Sequence, residues 1–272
     1  MNISCQAKEL GVILLSVSLL SALGCDIFDS EELTPIEGNI IFTVQEGYQD
    51  YFAIAKPQIL MPMATEKIYP CINFDIVSDI SHFPNMILTE PLGIYEPDIC
   101  FTALGPARSE VSLPLPSGTF HLLFRYRGTT DGYWLTVSDS YIRVVEEISH
   151  FTRPEFNLWR RYPRDSFAYL CGTTDDTRWI CEDFLDSLLS YIDLAEFQFP
   201  DSGHIPYPCS SAGHVYEMPA RYFCYGEEED FIEAGRILET YTEDVILPHQ
   251  GVSIMLIGWN NRIFRSWLFD ND

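Results

Sequence analysis

The clearest pattern in the chain runs from Gly118 to Tyr126, where Phe120, Leu122, Phe124 and Tyr126 alternate with His121, Leu123, Arg125 and Arg127. A period of two is that of a strand with one buried face. Asp131 and Gly132 are expected to turn the chain, Tyr133 to Val137 to return, and Asp139 to lead into a third strand from Tyr141 to Val145. The three then form a meander. Upstream, Gly38 to Val44, Ile68 to Val77 and Met86 to Thr89 are shorter runs of β-formers bounded by Pro and Gly. With no helical period between residues 37 and 148, that stretch is expected to be a β-sandwich.

Past Glu147 the pattern changes, which predicts a second domain over 149–272. Ile180, Phe184, Leu188 and Ile192 recur every fourth residue behind the capping types Asp175, Asp176 and Thr177, so a helix is expected across 178–192. A second begins at Glu227 to Asp230, where acids suit the positive end of the helix dipole, and buries Phe231, Ala234, Leu238 and Val245. Strand candidates at 166–171, 196–199, 221–225, 253–258 and 263–268 give the order βαββαββ. The simplest packing of two amphipathic helices on one sheet is then an α+β domain of ferredoxin-like type.

The first residues are patterned differently. Residues 11–24 are apolar all round, which suits the core of a signal peptide, and are too short to span a bilayer comfortably. The run ends in Ala22, Leu23, Gly24 and Cys25. This tetrad resembles the lipobox of bacterial lipoproteins, with Ala22 standing where leucine is usual. The resemblance implies cleavage after residue 24, lipidation of Cys25, and anchoring of the mature chain in the bacterial cell envelope by several acyl chains. Residues 25–36 would then be the lipidated cysteine and an acidic spacer. Leu113 to Phe124 in turn resembles the penultimate strand of the immunoglobulin-like modules common in exported bacterial proteins.

Composition narrows the partners. With 47% hydrophobic and 14% aromatic residues the chain is globular. Its 16 basic and 40 acidic residues give a formal charge of −24, which repels phosphates and excludes nucleic acid as a natural partner. Beyond Cys5 and Cys25, six cysteines remain, and export makes disulfides their expected fate. Proximity suggests Cys71 with Cys100, Cys171 with Cys181, and Cys209 with Cys224.

Local chemistry is sparse. Asp201, His204, Cys209 and His214 are residue types that bind zinc, but they share one loop and lack the spacing of zinc hydrolases, so no metal is expected. No G-x-S-x-G elbow, glycine-rich phosphate loop or H-E-x-x-H occurs, and no cofactor is expected. Trp159, Arg160, Arg161 and Arg164 form the best local candidate for recognition, since arginine forks grip oxyanions and aromatics stack on rings. The competing role for that run is to neutralise carboxylates at a domain seam. Trp134, Trp259 and Trp267 offer a carbohydrate platform or, at strand positions, core.

The sequence therefore predicts an exported, lipid-anchored envelope protein of non-catalytic, binding or structural type that recognises a protein or glycan. The alternative is an envelope hydrolase with its site between the domains or around the 201–214 loop, using His204 or His214.

Overall fold

The computed structural model describes residues 33–50, 52–211 and 213–267. The expected signal segment, Cys25 and residues 26–32 lie outside them.

The first sheet is built from β1 (Ile40–Phe42), β2 (Gln45–Gly47), β3 (Gln58–Tyr69), β4 (Asp75–Phe83), β5 (Met86–Tyr95) and β6 (Gly105–Ser112). It continues through β7 (Gly118–Tyr126), β8 (Thr129–Val137), β9 (Tyr141–Ile148), β10 (Thr152–Pro154) and β11 (Leu158–Arg160). The strands join in the order β10-β1-β3-β6-β4-β5-β7-β8-β9-β11, with β2 on β3. The expected meander is present as β7, β8 and β9. Parallel pairing of β1 with β10 and of β5 with β7 makes the sheet mixed. It curls over itself: the Phe42 ring of β1 lies 4.7 Å from Phe124 of β7 and 5.0 Å from Tyr133 of β8, although β3, β6, β4 and β5 intervene in the sheet. Inward residues at every second position, among them Phe120, Leu122, Phe124, Tyr133, Leu135 and Val137, fill the enclosed core. The sheet runs on past residue 148, because β10 and β11 both belong to it.

One expected turn moves. Arg127 and Gly128 both take positive φ, 49° and 83°, and Tyr126 pairs with Thr129, so the two-residue hairpin sits there. Asp131 and Gly132 instead lie inside β8. Asp131 is fully buried, and its carboxylate accepts from the backbone N–H of His150 (2.8 Å), Phe151 (2.9 Å) and Thr152 (2.7 Å), from the Thr152 hydroxyl (2.6 Å) and, with 2.9 Å separation, meets His150 Nδ1. Burial alone would raise the carboxyl, but these hydrogen bonds outweigh it and hold Asp131 below the usual carboxylate range. The side chain thereby fixes the turn that carries the chain from β9 into β10.

The second sheet comprises β12 (Ser166–Thr173), β13 (Ala195–Phe197), β14 (Tyr216–Glu217), β15 (Arg221–Cys224), β16 (Ser253–Gly258) and β17 (Ile263–Arg265), in the antiparallel order β13-β15-β12-β16-β17, with β14 on the end of β12. Helices α1 (Trp179–Tyr191) and α2 (Glu228–Tyr241) cover one face. Helix α1 presents Ile180, Phe184, Leu185 and Leu188 to Phe167, Tyr169 and Cys171 of β12, as its four-residue period requires. Helix α2 starts with a reciprocal cap between Glu227 and Asp230 and buries Phe231, Ala234 and Leu238. Phe231 packs 5.1 Å from Phe167 and 5.5 Å from Tyr225. Strand β12 is buried along its whole length, so its second face is covered too.

Disulfides join Cys71 to Cys100 and Cys171 to Cys181. The expected third pair is not formed: Cys209 and Cys224 are free thiols. Cys209 lies beside Ala220, whose N–H donates to its carbonyl, four residues along the chain from Cys224. At about 3.3 Å per strand residue that is roughly 13 Å, beyond the span of a disulfide.

Candidate functional site

The arginine run lies at the seam between the two sheets. Glu46 of β2, buried, accepts from Arg161 Nε (2.8 Å) and from the Tyr162 N–H (2.7 Å), while Arg161 Nη1 donates to the Ser138 carbonyl. Tyr48 donates to the Trp259 carbonyl (2.6 Å), Tyr162 to that of Pro206 (2.9 Å), and the Ala55 N–H to that of Asn260. Burial pushes the Tyr162 hydroxyl up to about 12, so it stays a neutral donor. Arg160 donates to the carbonyl and hydroxyl of Ser202, and Arg164 sits over the Trp259 ring. Trp159 is buried beneath His204, with ring centroids 4.1 Å apart. The four residues are thus engaged within the chain. Trp134 stands apart on β8, stacked on His121 at 4.6 Å.

Against the second face of the small sheet lie residues of the long connection from β13 to β14 (198–215), with Tyr207 meeting Ser166, and Ser211 and His214 lying over Gly172. Connections of this length usually carry function. Its centre is Tyr207, whose buried hydroxyl meets both the carbonyl (3.1 Å) and the hydroxyl (2.9 Å) of Ser166. On one side of Tyr207 the loop leaves an open hollow of about 720 Å³. Phe197, Phe199 and Tyr222 line it as a set of tilted rings, 5.0 Å between Phe199 and Tyr222 and 5.3 Å between Phe197 and Phe199. The polar part of the rim is the doubly bonded pair Arg221 with Glu196 (2.7 and 2.6 Å), joined by Asp201 and the exposed thiol of Cys209. His204 closes one end; burial lowers its pKa, against an opposing pull from Glu155, which favours the neutral ring.

On the other side of Tyr207 lies His214. Pairing places Ser253 and Glu217 on either side of Gly172, and a Cβ on Gly172 would collide with the ring of His214 and the hydroxyl of Ser211. The missing side chain lets the imidazole lie across the strand, where its Nε2 meets Ser253 Oγ at 2.9 Å. A serine and a histidine at this distance have the spacing that a nucleophile and its base require. The arrangement stops there. His214 Nδ1 and Ser211 Oγ are buried without hydrogen-bond partners, and Glu217 accepts from the backbone N–H of His214 at 3.3 Å instead of from its ring.

His204 and His214 therefore belong to different ends of the loop, and among the described residues no group of three or more His, Cys, Asp or Glu side chains is placed to hold a metal ion. Sequence reasoning missed Phe197, Phe199 and Tyr222 because strand pairing, not local spacing, brings them together. Ser253 was hidden for the same reason, opposite Gly172. No family model matches this chain, and no curated protein or solved structure matches it either.

Proposed function

We propose that the protein is exported, tethered to an envelope membrane through a lipid on Cys25, and binds a protein or glycan partner through the hollow of the C-terminal α+β module. The observation that carries the binding reading is the hollow itself: three aromatic rings beside a charged rim suit the apolar faces and polar edges of sugar rings or of an extended peptide. The order β13-β15-β12-β16 around two helices on one face supports a ferredoxin-like plait for this module. For the N-terminal region an immunoglobulin-like sandwich is supported by the near-division of its sheet, since β4 and β6 meet at the single pair Asp75 and Arg108 while the two halves pack face to face. The two disulfides are consistent with export.

The test is a glycan array and a capture from envelope extract with the full chain and with Phe199→Ala. A specific ligand lost in the variant supports the hollow. Equal capture by both chains moves recognition elsewhere. Loss of Cys25→Ser from the membrane fraction, together with loss of its acyl label, supports the tether.

The Ser253 and His214 contact favours a second reading, hydrolysis of an ester or amide: Ser253 Oγ attacks the acyl carbon and passes its proton to Nε2, Nε2 gives it to the leaving group as the acyl bond breaks, and water then releases the acyl group from Ser253. It ranks lower because no carboxylate orients Nδ1. Covalent labelling of Ser253 by a fluorophosphonate, abolished in His214→Ala, would promote it above the binding reading.

A further inference from the structure

We propose that residues 96–104, with Ile72 beside them, form an apolar knuckle that seats the protein on the bilayer holding its anchor. The inference rests on the lipid tether proposed above. Ile99, Phe101 and Leu104 are 71, 62 and 77% exposed, and Ile68 and Ile72 are exposed next to them. The loop is not loose. The Cys71 to Cys100 disulfide crosses it, the Asn73 side chain donates to the Ile99 carbonyl (2.7 Å) and accepts from the Phe101 N–H (3.0 Å), and the Ile72 N–H donates to the Phe101 carbonyl (3.3 Å). A covalent bond and three hydrogen bonds thus fix a loop whose large apolar side chains face water, and grouped exposed apolar side chains mark a surface that meets something.

Where the chain enters the fold identifies what it meets. Thr34 is bonded to Ile94 in both directions, at 2.9 and 2.8 Å, at the end of β5 from which the knuckle departs. Ile99 is five residues beyond Ile94 and hence at most about 18 Å away. Cys25 precedes Thr34 by nine residues, so a lipid there keeps this end within about 32 Å of the bilayer. Tethering at that range raises the effective concentration of surface around the knuckle, so weak apolar contacts suffice. The charges nearby select the lipid. Glu96 and Asp98 lie in the loop, and Lys67 is already paired with Glu37 at 2.8 Å, so the approach is acidic and neutral lipid is favoured over anionic.

The experiment reconstitutes the full-length acylated chain carrying Phe101→Trp in phosphatidylcholine vesicles containing brominated acyl chains. The emission that Phe101→Trp adds over the parent chain with its five tryptophans should be quenched by the bromines, as expected for a ring at the acyl boundary. That quenching should fall in phosphatidylglycerol vesicles and vanish when Ile99→Ser and Leu104→Ser are added, while the chain still floats with the vesicles. Flotation without quenching overturns the seat and leaves the tether standing. Flotation of Cys25→Ser together with quenching overturns the tether and leaves the seat. Loss of flotation in the acylated chain overturns both. A blue shift without bromine quenching shows the knuckle covered by a second copy and also overturns the seat.

Discussion

The two sheets solve the burial problem in opposite ways. The N-terminal sheet curls over itself, so one apolar face covers another and Phe42, Phe124 and Tyr133 meet across the interior. The C-terminal sheet has separate covers: two helices on one face and, over Ser166 and Gly172, an irregular loop on the other. Each region leaves an open hollow: about 910 Å³ over β1, β3 and β6 of the first sheet, and about 720 Å³ where the loop is laid over the strands of the second. The hollow of Phe197, Phe199 and Tyr222 and the placement of His214 across Gly172 both come from that loop.

If this contrast is sound, the N-terminal sheet should be most sensitive at the polar group that completes its closure. Asp131→Ala leaves three backbone N–H donors and a hydroxyl without their acceptor, and should cost about 3–4 kcal/mol in urea unfolding. Acid adds a second reading of the same group. Because its pKa is depressed in the folded state, the stabilisation is fully present above the unfolded value of about 4 and is lost as pH falls through the lower folded value. The stability gap between wild type and Asp131→Asn should therefore shrink below about pH 4. A constant gap would mean that the carboxylate's charge plays no part.

A smaller effect is expected where the two regions meet. Glu46→Gln removes the charge facing Arg161 but keeps most of the volume, and should cost about 2 kcal/mol. More usefully, it should separate one unfolding transition into two by calorimetry, since Glu46 joins the first sheet to the start of the second. A single sharp transition in the variant would show that the tyrosine contacts alone keep the regions cooperative.

The smallest effect belongs to the loop cover. Gly172→Ala should cost about 1 kcal/mol, because the His214 ring and the Ser211 hydroxyl must both shift to admit a methyl group. It should nevertheless detach His214 from Ser253, visible as a change in the imidazole NMR shifts. An unchanged His214 spectrum would show the ring held by something other than the open strand.

Local periodicity made the elements legible: the β7 to β9 meander and both helices stand where residue spacing places them, because each buries a continuous face. The curl of the first sheet was not legible. It depends on the parallel pairings of β5 with β7 and β1 with β10, which leave no mark on local spacing. Asp131 with Gly132 carries the strongest turn signal in its region and forms none, since a buried acceptor at that point is stabilised by donors about twenty residues away. The arginine run was legible as a cluster, but its partners Glu46 and Ser138 could be named only once β2 and β9 were in place. The hollow, assembled across β13, β15 and a loop, had no sequence signal beyond an abundance of aromatics.

The two cysteines left unpaired among the described residues have a practical consequence. Cys209 is exposed on the rim of the hollow, while burial pushes the Cys224 thiol up and keeps it protonated, unreactive and half-hidden in β15. In the mature, acylated chain proposed above, where Cys5 is removed and Cys25 blocked, a thiol-directed dye should attach first at Cys209, on the edge of the aromatic hollow. The native protein comes with its own reporter: its fluorescence should change when anything enters the hollow, which turns the search for a ligand into a titration.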